Sequence, residues 1–307
     1  MITSIFNKSK PINFLVVFFI TLLAFVISRW QAFGHAVTLQ YVIKQVVLIL
    51  VIYTSILLLN FIVTKNSLTL KSNYEILLFS LFLLFITQTT KNANIIVSNF
   101  FILLTLRRLM SLRTPKDIKK KLFDAAFWIA IASLFYFWAI LFFVLIVLSL
   151  FLYSDNNLRH WIVPFLGVLV VFIIMSVVSV VLHDNFFIIF NMPPKVSYDY
   201  SHYNSASYII GITLLISFGI WSSFFYLKNI KKKKKSFRVA FKIIIIAAVI
   251  GFFMVLLVPE KSGSEFLFLF APLAIIIANY IEIIQEKWFK EVFVSVLLIT
   301  PFILLLL

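Results

Sequence analysis

Six side chains of the kinds that hold protons or metal ions stand in two stretches of this chain: His183, Asp184, Asp199 and His202 in one, Glu260 and Glu265 in the other. Two imidazoles and two carboxylates offer nitrogen and oxygen donors for a metal, and any of the carboxylates could serve as a general base. Tyr198, Tyr200 and Tyr203 lie among them and would suit a cleft for sugars, which stack on aromatic faces. The spacing from His183 to Asp199 matches no metal motif, so no metal is assigned. The plainer reading is an interfacial loop, with Phe186 to Phe190 among lipid headgroups and the three tyrosines in an aromatic belt.

The elements that would position these residues follow from composition. The chain is 63% hydrophobic and 12% charged, with a mean hydropathy of +1.10, whereas soluble domains are roughly 45 to 50% apolar and about 25% charged. Such a chain reads as one integral membrane domain over residues 1–307, an all-α polytopic bundle. It has no cysteine, so disulfides, thiolate nucleophiles and Cys-ligated metals are excluded. No Gly-rich phosphate loop, zinc helix motif or serine elbow occurs, and no cofactor is assigned.

Apolar runs predict spans near residues 12–29 (an uncleaved signal anchor), 46–63, 74–90, 95–112, 161–182, 208–227, 239–258, 266–281 and 292–307. The second pair of runs is short and could be re-entrant. Residues 122–153 are apolar except for Asp124; one helix over them would be about 48 Å long against a hydrocarbon core of about 30 Å. Charge decides how that stretch is divided. Arg107, Arg108, Arg113, Lys116 and Lys119 to Lys121 form one basic cluster, and Lys228, Lys231, Lys232, Lys233, Lys234, Lys235 and Arg238 form the other. Both belong in the cytoplasm. Only two crossings within 122–153, divided near Phe137 to Ala139, return the second cluster there. Eleven crossings result, with the N-terminus cytoplasmic. Of the 27 basic residues, only Arg29, Lys44, Lys91, Lys195 and Lys261 then face outward.

The lysine run Lys231 to Lys235, with Arg107 and Arg108, therefore reads as a topology anchor touching anionic headgroups at about 1 kcal/mol per basic residue. Nothing in it requires nucleic acid. Arg29, His35, Lys44, Glu260 and Glu265 lie near outer span ends, where charged groups usually snorkel. Glu265 is the strongest candidate base on the outer face, followed by Asp184, Asp199 and His183, with Arg29 as a neighbouring cation. Its alternative role is to cap the helix leading to Pro272.

Met1 to Lys8, Asn94 to Leu112 and Leu122 to Trp128 resemble an uncharacterised family of bacterial polytopic membrane proteins, along the whole chain. A fainter resemblance is to type C glycosyltransferases, carried by the short spans of 74–153, the basic loop and the segment Glu265 to Pro272. It implies a polyprenyl-linked sugar substrate and a catalytic carboxylate in the first outer loop. Arg29 to Gln40 contains no carboxylate. The sequence thus leads to a bacterial inner-membrane protein, first an envelope-biogenesis or membrane-complex component with membrane-protein partners, second a glycosyltransferase-like enzyme, third a transporter.

Overall fold

The computed structural model describes residues 5–30, 38–70, 72–153, 157–186, 196–259 and 261–306. Glu260, His35, Lys195 and Phe187 to Phe190 lie outside the described residues. Among the described residues, eleven α-helices run in order: α1 (Pro11–Ile27), α2 (Leu39–Asn66), α3 (Tyr74–Phe85), α4 (Ala93–Ser111), α5 (Ile118–Phe135), α6 (Phe143–Leu152), α7 (Leu158–His183), α8 (Ala206–Ile230), α9 (Lys235–Leu257), α10 (Leu267–Ile283) and α11 (Lys287–Leu304). The described residues contain no strand. Six of the helical segments are long and apolar enough to cross a membrane.

Local chemistry sets several boundaries. Side chains of Thr38, Asn92, Asn157 and Ser205 accept backbone N–H groups at the starts of α2, α4, α7 and α8, replacing partners that the first turn of a helix lacks. Ser67 and Asp184 end α2 and α7 in the left-handed region, at φ 50 and 51. The long apolar stretch is broken where charge required it: α5 stops at Phe135, Tyr136 is extended, and a 3-10 turn covers Phe137–Phe142 before α6.

Every residue of α3 is buried, as is nearly all of α10. Phe270 of α10 meets Phe79 and Phe82 of α3 at ring distances of 6.3 and 5.5 Å. This pair is the centre, and α1, α2, α8, α9 and α11 pack around it. With 12 residues, α3 is about 18 Å long, short of the hydrocarbon core. Only its protein wrapping allows the non-helical Ile86 and the polar 3-10 turn Thr87–Thr90 that follow. Adjacent α4 and α5 are joined by Ser98 and Thr105, which donate to the carbonyls of Ala132 and Ala125, the interhelical use of hydroxyls expected in membranes. Asn60, by contrast, has its Oδ1 buried without a partner.

Contacts sort the helix ends into two groups. At one end Phe6 O accepts Asn73 N–H at 2.9 Å, Arg107 lies over Phe61 at 5.1 Å, Lys121 bonds Ser111, and Glu282 accepts Leu70 N–H at 2.8 Å. Arg113 lies over Phe237 at 4.2 Å, so both basic clusters share this end. At the far end Arg29 meets Gln45 and Thr90, Ser264 donates to Gln88 O at 2.9 Å, and the start of α8 at Gly211 faces Phe85 and Leu304. Gly167 of α7 packs on Phe123 of α5, and further along Val171 and Phe172 share a cavity with Ser133 and Leu134, so those two run parallel. Tyr153, closing α6, is within electrostatic reach of Arg113, which brings α6 back to the basic end. Successive helices therefore alternate in direction along the whole chain.

Candidate functional site

The far end carries a closed network built around Glu265. A 3-10 turn, Ser264–Phe266, leads into α10 and places this carboxylate at 0% exposure. Tyr203 donates its hydroxyl to Oε1, Gly263 N–H reaches the same oxygen at 3.1 Å, and Ser262 Oγ reaches Oε2 at 3.2 Å. None of these donors belongs to the first turn of α10, so Glu265 is a tie for the loops at this far end rather than the cap of that helix. Gly263 has φ +86, and a Cβ there would meet the Tyr208 hydroxyl at 2.7 Å; glycine is required on both counts. Tyr208 in turn donates to Ser262 O at 3.2 Å.

Lys261 completes the network. Its ammonium donates to the carbonyls of Val255, Leu256 and Val258 at 3.3, 2.8 and 2.8 Å and lies 4.6 Å from the Tyr200 ring. A cation at the carbonyl end of α9 favours the helix dipole. Burial lowers the Lys261 pKa, while Glu265 and Asp199 oppose it. Burial raises the Tyr203 pKa, and Glu265 raises it further, keeping the phenol a donor. Tyr203 is buried at 8% exposure, against the aromatic belt expected for it, whereas Tyr198 and Tyr200 are exposed.

The other sequence candidates are not hydrogen-bonded into this network, although Asp199 acts electrostatically on Lys261. His183 and Asp184 are exposed at the end of α7, and His202 is exposed beside Tyr208. Asp199 is fully exposed; the backbone N–H and the hydroxyl of Ser201 hold its carboxyl below the usual range. Among the described residues no three His, Asp or Glu side chains come together as a metal site. Arg29 is buried past the end of α1, and its partners among the described residues are neutral: Gln45 Oε1 at 2.6 Å, Ser28 Oγ at 2.9 Å, the Thr90 carbonyl, and the Phe25 ring at 3.6 Å. Burial lowers its pKa to about 10, with Tyr41 opposing, so it is charged at neutral pH and ties α1 to the turn after α3.

Sequence reasoning passed over Glu75. It lies in the first turn of α3 at 0% exposure, and neither carboxylate oxygen meets a partner from another residue. Both amide atoms of Asn73 are likewise buried without partners. Glu282 acts electrostatically on Glu75 and has its own donors in Leu70 N–H and Ser72 Oγ. The helix dipole favours an anion at this position by about 0.3 to 1 kcal/mol. Removing an isolated carboxylate from water costs tens of kcal/mol in the idealised limit, so the group needs a proton or a cation. The one available signal in the sequence was an acid at the start of the uncharged run from Ile76 to Thr90.

No curated protein and no solved structure matches the chain. A family of unknown function, DUF6427, matches residues 1–306. This is the uncharacterised family that the sequence resembles; the match does not extend to glycosyltransferases. With the match covering the chain almost from end to end, the protein belongs to the DUF6427 family.

Proposed function

We propose that this membrane protein is a non-catalytic component of a membrane complex or of envelope biogenesis in a bacterial inner membrane, with the basic end and the N-terminus in the cytoplasm. The observation that carries the reading is the closure of Glu265: the carboxylate best placed for outer-face chemistry is saturated by Tyr203, Ser262 and Gly263 and withdrawn from solvent. A glycosyltransferase-like enzyme acting on a polyprenyl-linked sugar would need an outward base open to a cleft. The remaining described acids of that end, Asp184 and Asp199, are exposed to solvent.

The test is complementation of a gene deletion by Glu265→Gln, Asp184→Asn and Asp199→Asn, singly and together. Full complementation at wild-type abundance is expected. Loss of function by any of them in protein that stays abundant and correctly inserted would overturn the reading in favour of carboxylate chemistry. Glu75 favours a second reading, ion-coupled transport, because unpaired acids inside membranes commonly carry ions or protons. Glu75→Gln separates the two: a transporter loses function with the carboxylate, a structural component does not.

A further inference from the structure

A cavity of about 270 Å³ opens at the basic end where α2, α4 and α5 meet. Six cationic side chains line it, Lys65, Arg107, Arg108, Arg113, Lys116 and Lys121, with Asp117 as the lining acid. The internal structure neutralises little of this charge. Arg108 pairs with Asp124 at 2.8 Å, and the Lys121 ammonium is held by Ser111 O, Thr114 O and Thr114 Oγ1 at 2.7, 2.8 and 2.9 Å. The others have no carboxylate within ion-pair distance among the described residues. Arg113 has a buried Nη1 with no acceptor. Phe61 has Lys65 and Arg107 over its ring at 5.2 and 5.1 Å, which holds both cations beside the opening. An orphaned buried guanidinium N–H among unpaired cations calls for an anion with several oxygens.

We propose that this cavity binds the phosphate-bearing headgroup of an anionic membrane lipid. The lipid source is favoured over a soluble phosphate by what lies beside the cavity. Phe61 is exposed, and with Leu50, Thr54 and Leu57 it forms an exposed, mainly apolar stripe along one face of α2, leading from the cavity toward the far end. A headgroup seated among Arg107, Arg113 and Lys116 would lay its acyl chains along that stripe. This goes beyond the proposed function and does not depend on it.

The test is lipid retention by the purified full-length protein, measured by native mass spectrometry against equal amounts of phosphatidylglycerol and phosphatidylcholine. Phosphatidylglycerol should be retained preferentially. Retention should fall at least tenfold in the triple variant Arg107→Gln, Arg113→Gln, Lys116→Gln, which spares the paired Arg108 and the bonded Lys121. It should stay within twofold of wild type in Lys119→Gln, Lys120→Gln, Lys228→Gln, which removes the same charge from exposed positions outside the cavity. Ser111→Trp, which fills the cavity without changing charge, should match the first triple and covers the case in which that triple does not fold. Equal losses in the two triples, or unchanged retention in Ser111→Trp, would reduce the effect to general surface electrostatics and overturn the proposal. Displacement of the lipid by millimolar inorganic phosphate or pyrophosphate as readily as by phosphatidylglycerol would overturn the lipid assignment.

Discussion

The phenolic hydroxyl of Tyr203 donates to the buried carboxylate of Glu265, joining the loop before α8 to the start of α10 across 62 residues of sequence. Gly263 and Ser262 supply the other donors locally, so among the described residues Tyr203 is the long-range one. Its loss leaves a buried carboxylate short of one hydrogen bond.

Tyr203→Phe should therefore cost about 1.5 to 3 kcal/mol, the range for hydrogen bonds to charged groups, read as a lower melting temperature in detergent. Because burial and then Glu265 raise the Tyr203 pKa, the folded state holds the phenolic proton more tightly than the unfolded chain. The stability gap between wild type and Tyr203→Phe should be constant below the unfolded phenol pKa of about 10 and narrow above it. A gap that widens with alkali would contradict the assigned donor.

Gly167 is where α7 touches α5: a Cβ would lie 2.8 Å from the Phe123 carbonyl oxygen and 3.0 Å from Ala126 Cβ. Since α7 is otherwise exposed along most of its length, this contact is a main tether. Gly167→Leu should destabilise by about 1 to 3 kcal/mol, as overpacking does, and raise protease sensitivity in the loops flanking α7. Wild-type resistance would show that α7 is held elsewhere.

Glu75→Gln replaces an unpaired buried acid with a neutral group of similar size. Removing the repulsion from Glu282 and the need for a proton or cation should raise stability by about 1 to 3 kcal/mol. A clear decrease in the melting temperature of the variant would mean that the carboxylate holds a specific partner in the native protein.

Alternating helix direction places Ser111 and Ser236 at the basic end and Ser201 at the far end. In this cysteine-free chain, single cysteines at those positions in intact cells should react with an impermeant thiol reagent at Ser201 only. Labelling at Ser236 from outside would overturn the cytoplasmic placement of the basic end. Replacing Lys231 to Lys235 with Arg should preserve insertion, and replacing them with Gln should lower abundance or loosen orientation.

Composition and charge were enough for several features of this protein. Long apolar runs can be satisfied only by helices in a bilayer, and the division of 122–153 followed from keeping two basic clusters on one side; α5 and α6 part at Tyr136 to Phe142, and Arg113 meets Phe237. Both signals are one-dimensional, since hydropathy and charge add along the chain. The tertiary structure decided which way particular polar side chains face. Tyr203 turns inward because Glu265, distant in sequence, lies beneath it, and a belt tyrosine and a buried donor look the same in a string of letters. Glu75 is sealed because α3 is wrapped by α1, α2, α10 and α11. An acid at the end of an apolar run is bland on a peripheral helix and costly on a central one, and which helix is central depends on packing among all eleven.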